Sequence, residues 1–201
     1  MKRIFILLFL FLPFFMAKSQ VLSLDNGILF SNTKYDSKDV CNDNNHAIFL
    51  SFDYFKMKKH FYLTTQVGYF STGYNAYKHF FLVDRHESQK FKSRDMHFSL
   101  TFRGKIPVYN NLFVYAGLGP KLDYSFDYKK KIEDHTFPNI NTFRNMFGAK
   151  FDFGIYMDIM KNYRVGVNTA YLTNFNNGDK LSSNKIVCGL SVGYVFGQST
   201  N

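Results

Sequence analysis

Long apolar stretches are missing from this 201-residue chain beyond residue 16, and its mean hydropathy is −0.21. This absence excludes helical membrane spans after the N-terminus, because each needs about 20 consecutive apolar residues. Cysteine is almost as scarce. Cys41 and Cys188 are the two cysteines, so the chain can form at most one internal disulfide, and the sequence leaves open whether they pair or remain separate thiols.

Motifs that mark catalytic or metal centres are also missing. The chain has no G-x-S-x-G nucleophile motif, no H-x-x-x-H pair and no Cys/His ligand spacing. We therefore expect no cofactor, no metal and no enzymatic activity. One catalytic alternative stays open, because histidines and carboxylates share the long polar segments and a His–carboxylate pair can activate water. These residues are His79, Asp84, His86, Glu87, Glu133, Asp134 and His135.

The N-terminus has the pattern of a secretory signal peptide. Lys2 and Arg3 precede an apolar run over residues 4–16, and Ala17 and Ser19 occupy the −3 and −1 positions of a cleavage site before Gln20. The sequence therefore predicts a signal peptide at residues 1–19 and one mature domain at 20–201. The formal net charge of +10 is spread over many segments, and an exported protein rarely meets nucleic acid, so we exclude nucleic-acid binding.

The mature segment alternates between apolar and other residues with the period of two that indicates β-strands. Its 25 Phe and 14 Tyr also favour strands. Seven segments of about 9–11 residues, the length that crosses a bilayer as a tilted strand, carry this pattern, and Gly27 to Lys34 is the predicted first strand. Tight turns near residues 58–59, 108–110 and 160–162 alternate with long polar connections near 35–45, 71–94, 127–141 and 174–184. This order predicts a closed, antiparallel, eight-stranded up-and-down barrel.

The volumes of the side chains on the two faces of the strands predict which face lines the barrel interior. The apolar parity carries most of the large side chains and would overfill an eight-stranded barrel, so we place it against lipid. The opposite parity is rich in glycine and in charges of both signs. We predict interior ion pairs, with Lys121 and Asp123 clustering beside Lys150 and Asp152 on the next strand. The full candidate set is Asp53, Arg103, Lys121, Asp123, Lys150, Asp152 and Arg164.

Aromatic residues fall near both ends of the predicted strands, as in the interfacial girdles of membrane barrels. Those near the tight turns are Tyr54, Phe61, Tyr163, Tyr194 and Phe196, and those near the long connections are Tyr69, Tyr124, Phe143 and Tyr171.

The mature chain resembles the small eight-stranded outer-membrane barrels of the OmpA/OmpX-like and PorT-like group. The resemblance rests on the Ala17-Lys18-Ser19/Gln20 cleavage pattern, the Gly-rich strand Tyr115-Ala116-Gly117-Leu118-Gly119-Pro120 and the closing strand from Gly189 to Phe196. It implies residence in the outer membrane. It also implies that Phe196 is the terminal aromatic that the insertion machinery reads, and that a role in protein secretion is open.

These observations predict a closed, non-enzymatic barrel that presents extracellular loops or anchors a membrane or secretion assembly. Its expected partners are outer-membrane lipid and glycolipid, and other envelope or secretion proteins. Lys129, Lys130 and Lys131, with Lys90, Lys92 and Arg94, make the outer segments basic, and we predict that Lys129 to Lys131 contact glycolipid phosphates. The alternatives are an outer-membrane enzyme acting on envelope lipid or peptide, and a soluble lipocalin-like binding barrel.

Overall fold

The computed structural model describes residues 20–35, 38–42, 45–58, 60–79, 86–132, 135–137, 144–159, 162–175 and 181–196. The signal peptide predicted at residues 1–19 lies outside them. The strands in chain order are β1 (Gln20–Tyr35), β2 (Lys38–Asn42), β3 (Asn45–Lys58), β4 (Phe61–His79), β5 (His86–Tyr109), β6 (Leu112–Ile132), β7 (His135–Phe137), β8 (Arg144–Ile159), β9 (Tyr163–Asn174) and β10 (Leu181–Phe196).

Eight of the described strands form a closed antiparallel barrel in the order β1, β3, β4, β5, β6, β8, β9 and β10. The ring closes because β10 pairs with β1 from Gln20↔Phe196 to Tyr35↔Leu181. The short strand β2 pairs with β1 and β4. The short strand β7 pairs with β6. Closure pairs the backbone groups between strands, which a span through lipid requires. The predicted fold class is confirmed. Within the described ranges, no helix is long and apolar enough to cross a bilayer.

The two faces of the barrel wall differ in the way that the alternating sequence predicts. On β5, Phe98, Leu100 and Phe102 are exposed, whereas the intervening Ser99 and Thr101 are buried in the interior. The same apolar exterior continues around the ring with Leu24, Leu50, Val67, Leu118, Phe153, Val167 and Leu190. A soluble lipocalin-like barrel needs the apolar face inside, so this arrangement excludes that alternative. An apolar exterior of this extent requires lipid.

The strands are longer than predicted. They run to 24 residues in β5 and 19 in β4, compared with the predicted 9–11. Most of the predicted 71–94 loop is a paired ladder in which β4 and β5 stay in register up to His79↔His86. Polar residues obscured this extension, because alternation between apolar and polar side chains stops where neither face meets lipid. The first strand likewise begins at Gln20 rather than at Gly27.

Short and long connections occupy opposite rims, as predicted. Short connections join β3 to β4, β5 to β6 through Asn110 and Asn111, and β8 to β9. The first residue of β1 and the last residue of β10 lie at this same rim. Strands β4, β5 and β6 extend furthest at the opposite rim, away from the short connections.

Aromatic side chains are exposed at both rims. Phe61, Tyr163, Tyr194 and Phe196 are exposed near the short turns, and Tyr69 and Tyr171 near the long connections. Tyr54 and Tyr124 are half-buried, and Phe143 lies outside the described residues. The exposed members are placed as interfacial girdles require.

Gly119 permits a close approach between β6 and β5. A Cβ atom at this position would lie 1.9 Å from the carbonyl oxygen of Leu100, next to Pro120, which has no N–H to donate to the ladder. Gly119→Ala is expected to lower the free energy of unfolding by about 1–3 kcal/mol, because the backbone must shift. Gly104→Ala is the control, since its Cβ would meet only the Phe61 ring edge at 3.3 Å. Urea titration of vesicle-inserted barrels measures both, and equal losses would contradict this account.

Candidate functional site in the barrel interior

The barrel interior is the main polar feature of the described structure. Inward positions of the strands bury five acidic and five basic residues, so the formal charges balance. The acids are Asp25, Asp53, Asp95, Asp123 and Asp152, and the bases are Arg103, Lys121, Lys150, Arg164 and Lys185. Buried charges are tolerated when they are paired and hydrogen-bonded. The contacts below show that these charges are paired in three groups along the barrel axis.

The first group lies near the short-turn rim and joins two arginines through one carboxylate. Arg103 donates from Nη2 and Nε to Asp152 Oδ2 at 2.6 and 3.1 Å, and from Nη1 to Asp53 Oδ1 at 3.4 Å. Arg164 donates from Nη1 to Asp53 Oδ2 at 3.3 Å and from Nε to Asp158 Oδ1 at 2.7 Å. Asp53 therefore bridges the guanidinium groups of β5 and β9 across the interior.

Tyrosine rings cover both guanidinium groups. The Cζ atom of Arg103 lies 4.7 Å from the Tyr115 ring centroid, and that of Arg164 lies 3.8 Å from the Tyr156 centroid. Such cation–π contacts stabilise an arginine that has lost its water. The aromatic faces and the carboxylates together hold both side chains in place.

The second group lies in the middle of the interior. Asp25 on β1 accepts hydrogen bonds from Ser51 Oγ at 2.5 Å and from Gln66 Nε2 at 2.9 Å. The carbonyl oxygen of Gln66 accepts a bond from Lys150, whose Nζ also lies 3.1 Å from Asp152 Oδ2. Lys150 thus links this group to the first one.

The third group lies toward the long connections. Asp123 contacts His97 Nδ1 at 2.6 Å and Lys121 Nζ at 2.5 Å. Lys185 Nζ lies 3.0 Å from Asp95 and 4.0 Å from Asp123. This group is therefore a connected set of three cationic or protonatable nitrogens and two carboxylates.

An apolar cluster fills the interior on the side opposite β6 and β8. Phe70 is fully buried and packs with Phe49, whose ring centroid is 6.5 Å away. The cluster also contains Leu29, Ala47, Leu172 and Val187. Lys185 Nζ lies 3.8 Å from the Phe70 ring centroid, so the cluster directly adjoins the third charged group.

All seven predicted interior charges face inward, but their pairing differs from the prediction in one respect. Lys121 pairs with Asp123, and Lys150 with Asp152, along their own strands. The two pairs do not face each other, because the register sets Gly119 opposite Lys150 and Gly117 opposite Asp152. Cross-barrel contacts are made instead by Arg103, Gln66, Arg164 and Lys185. The predicted ion-pair set omitted Asp25, Asp95, His97 and Lys185, although each is buried at an inward-facing position.

The remaining candidates lie in the outer parts of the strands. His79 and His86 are opposite each other at the last register position of the β4–β5 ladder, and His135 pairs with Ile132. Lys129, Lys130 and Lys131 belong to β6. The side chains of these residues lie outside the described part of the chain. Cys188 is an exposed free thiol, and the side chain of Cys41 is not among those described.

An exterior of lipid-facing apolar residues around a filled, charge-balanced interior defines a small outer-membrane β-barrel. The family model for the OmpA-like transmembrane domain matches residues 20–200, and the chain belongs to this family. The protein is therefore an integral protein of the outer membrane.

Solved structures of other outer-membrane barrels share this fold. The N-terminal β-barrel domain of Pseudomonas aeruginosa OprF is 14% identical, with a TM-score of 0.50, and the match covers 90% of this chain and all of that one. Neisserial surface protein A is 13% identical, with a TM-score of 0.51, and the match covers 89% of this chain and 97% of that one. A search of curated protein sequences finds no match. The narrower resemblance to PorT-like proteins stays a prediction.

Proposed function

We propose that this protein is a closed, non-enzymatic barrel whose role is to hold the long outer ends of β4, β5 and β6 at the cell surface. The observation that carries this proposal is the filled interior. Side-chain ion pairs and an apolar cluster occupy the space that a pore would need. Anchoring of an envelope or secretion assembly through the same outer strands is part of this proposal.

The volumes of two interior cavities support a closed barrel. One, at the short-turn mouth beside Tyr62 and Arg164, measures about 50 Å³. The other, beside Arg103 and Tyr115, measures about 20 Å³. Spaces of this size hold one or a few ordered water molecules, and they do not amount to a water-filled channel.

Electrical recording tests this proposal. The mature chain, inserted in planar lipid bilayers, is expected to show no stable opening, because water-filled channels belong to much wider barrels. A porin reconstituted in parallel controls for insertion, and the mobility of unheated protein on a gel reports that the barrel has folded. A long-lived, porin-sized conductance from folded protein would refute the proposal.

A further inference from the structure

The outward face of β5 changes from apolar to basic just above the lipid-facing belt. Met96 and Phe98 are exposed and apolar, and Arg94, the next residue of the same parity, is exposed. Continuing upward, this parity contains Lys92 and Lys90. At about 3.3 Å per residue, Lys92 lies roughly 13 Å along the strand from Met96. Because the exposed apolar residues on this face of β5 end at Met96, we place the lipid headgroups at this height.

A bulge in β6 determines which lysines share that face. Asp95 pairs with Ser125 but Arg94 pairs with Asp127, so Phe126 is left without a register partner in β5. One extra residue reverses the parity of the strand beyond it. Residues 129 and 131 therefore lie on the outward face of the sheet, and Lys130 lies on the opposite face.

The register places four lysines opposite one another in two pairs. Lys92 is opposite Lys129, and Lys90 is opposite Lys131. The β4 partners of Lys92 and Lys90 are Gly73 and Asn75, and the β7 partner of Lys131 is Thr136. Like charges directly opposite each other destabilise a ladder. Among residues 90–94 and 127–131, Asp127 is the one acidic residue on this face, opposite Arg94, so positive charge is in excess over the described positions of the face.

From this juxtaposition we propose that Lys90, Lys92, Lys129 and Lys131 form a rim that binds the phosphate groups of the outer-leaflet glycolipid. The rim continues the face that meets lipid, at the height of the headgroups, and its position outside the cell rests on the proposed surface orientation. Clustered phosphates supply several negative charges at once, which suits several lysines acting as point charges. The rim thus differs from the predicted set of three lysines, because it excludes Lys130 and adds Lys90 and Lys92.

Lys129 and Lys130 form a matched pair for the test, since they are adjacent and alike but lie on opposite faces. The folded mature chain would be placed in phosphatidylcholine bilayers containing spin-labelled outer-membrane glycolipid, either phosphorylated or enzymatically dephosphorylated. Electron spin resonance then gives the affinity of the protein for each lipid relative to phosphatidylcholine. Lys129→Gln is expected to weaken selectivity for the phosphorylated lipid about fivefold, and Lys92→Gln with Lys129→Gln roughly tenfold or more. Lys130→Gln should leave it unchanged.

Four further readouts make the result decisive. The selectivity of the wild type should fall with added salt and be lost with the dephosphorylated lipid. The rim proposal would be wrong if the wild-type protein showed no selectivity for the phosphorylated lipid. It would also be wrong if Lys130→Gln reduced this selectivity as much as Lys129→Gln does. Bilayer recording on the same preparations keeps the two proposals apart, because a conducting barrel contradicts the closed-barrel function and leaves the lipid result standing. Unheated gel mobility excludes misfolding of a variant.

Discussion

Asp152→Asn is expected to lower the free energy of unfolding by about 3–5 kcal/mol, because it leaves buried cations without their main counter-charge. The carboxylate of Asp152 contacts Arg103 and Lys150, and its side chain is 2% exposed. Asparagine has nearly the same volume, so the loss reports charge rather than packing. Equilibrium unfolding in urea, with the barrel in lipid vesicles, measures the change.

Asp158→Asn is the matched control for this prediction. Asp158 also pairs with an arginine, Arg164, through a 2.7 Å contact, but its side chain is 16% exposed and lies beside the short-turn mouth. Water can replace part of this interaction, so the expected loss is about 1 kcal/mol or less. Equal losses for both variants would show that the interior is wet and that its ion pairs do not seal it.

The wall of the barrel could be predicted from sequence because each strand meets two very different environments. On β5, the apolar residues Met96, Phe98 and Leu100 face lipid, and the intervening His97 and Ser99 face the interior. Period-two alternation is the direct consequence of that contrast. The rule fails where the contrast ends, and for this reason the outer parts of β4 and β5 were predicted to be loops.

The contacts inside the barrel could not be predicted from sequence, since they depend on how far each strand is staggered against the others. Gln66 and Lys150 are 84 positions apart and lie on strands that are not neighbours in the ring. Alternation shows that both face inward, but it does not give their relative heights. Asp25 was missed for a simpler reason, since the apolar signal of the first strand was placed too late in the chain.

The β6 bulge is a third case in which parity alone misleads. Counting by twos from Leu122, which is exposed, would put residue 130 outward and residues 129 and 131 inward. The bulge beside Asp95 reverses this assignment. A single unpaired residue has no distinct signature in the sequence, so the faces of the outer lysines become clear only from the register.

Phe153→Arg is expected to lower the free energy of unfolding by about 2–4 kcal/mol, because it puts a charge near the middle of the lipid layer. Phe153 is 58% exposed and lies on β8 midway along an outward apolar row that runs from Phe147 to Met157. An arginine there must reach for the headgroups or draw water into the hydrocarbon layer. Urea titration in lipid vesicles measures the loss.

Ile106→Arg introduces the same charged side chain at another outward apolar position, 69% exposed, near the turn at Asn110 and Asn111. A charge near the interface costs about 0–1 kcal/mol, because its head reaches water directly. The difference between the two variants therefore reports the depth of each residue in the bilayer, independent of the size and charge of arginine. If Phe153→Arg cost no more than Ile106→Arg, the outward face would be in contact with water, and the apolar exterior of the barrel would need another explanation.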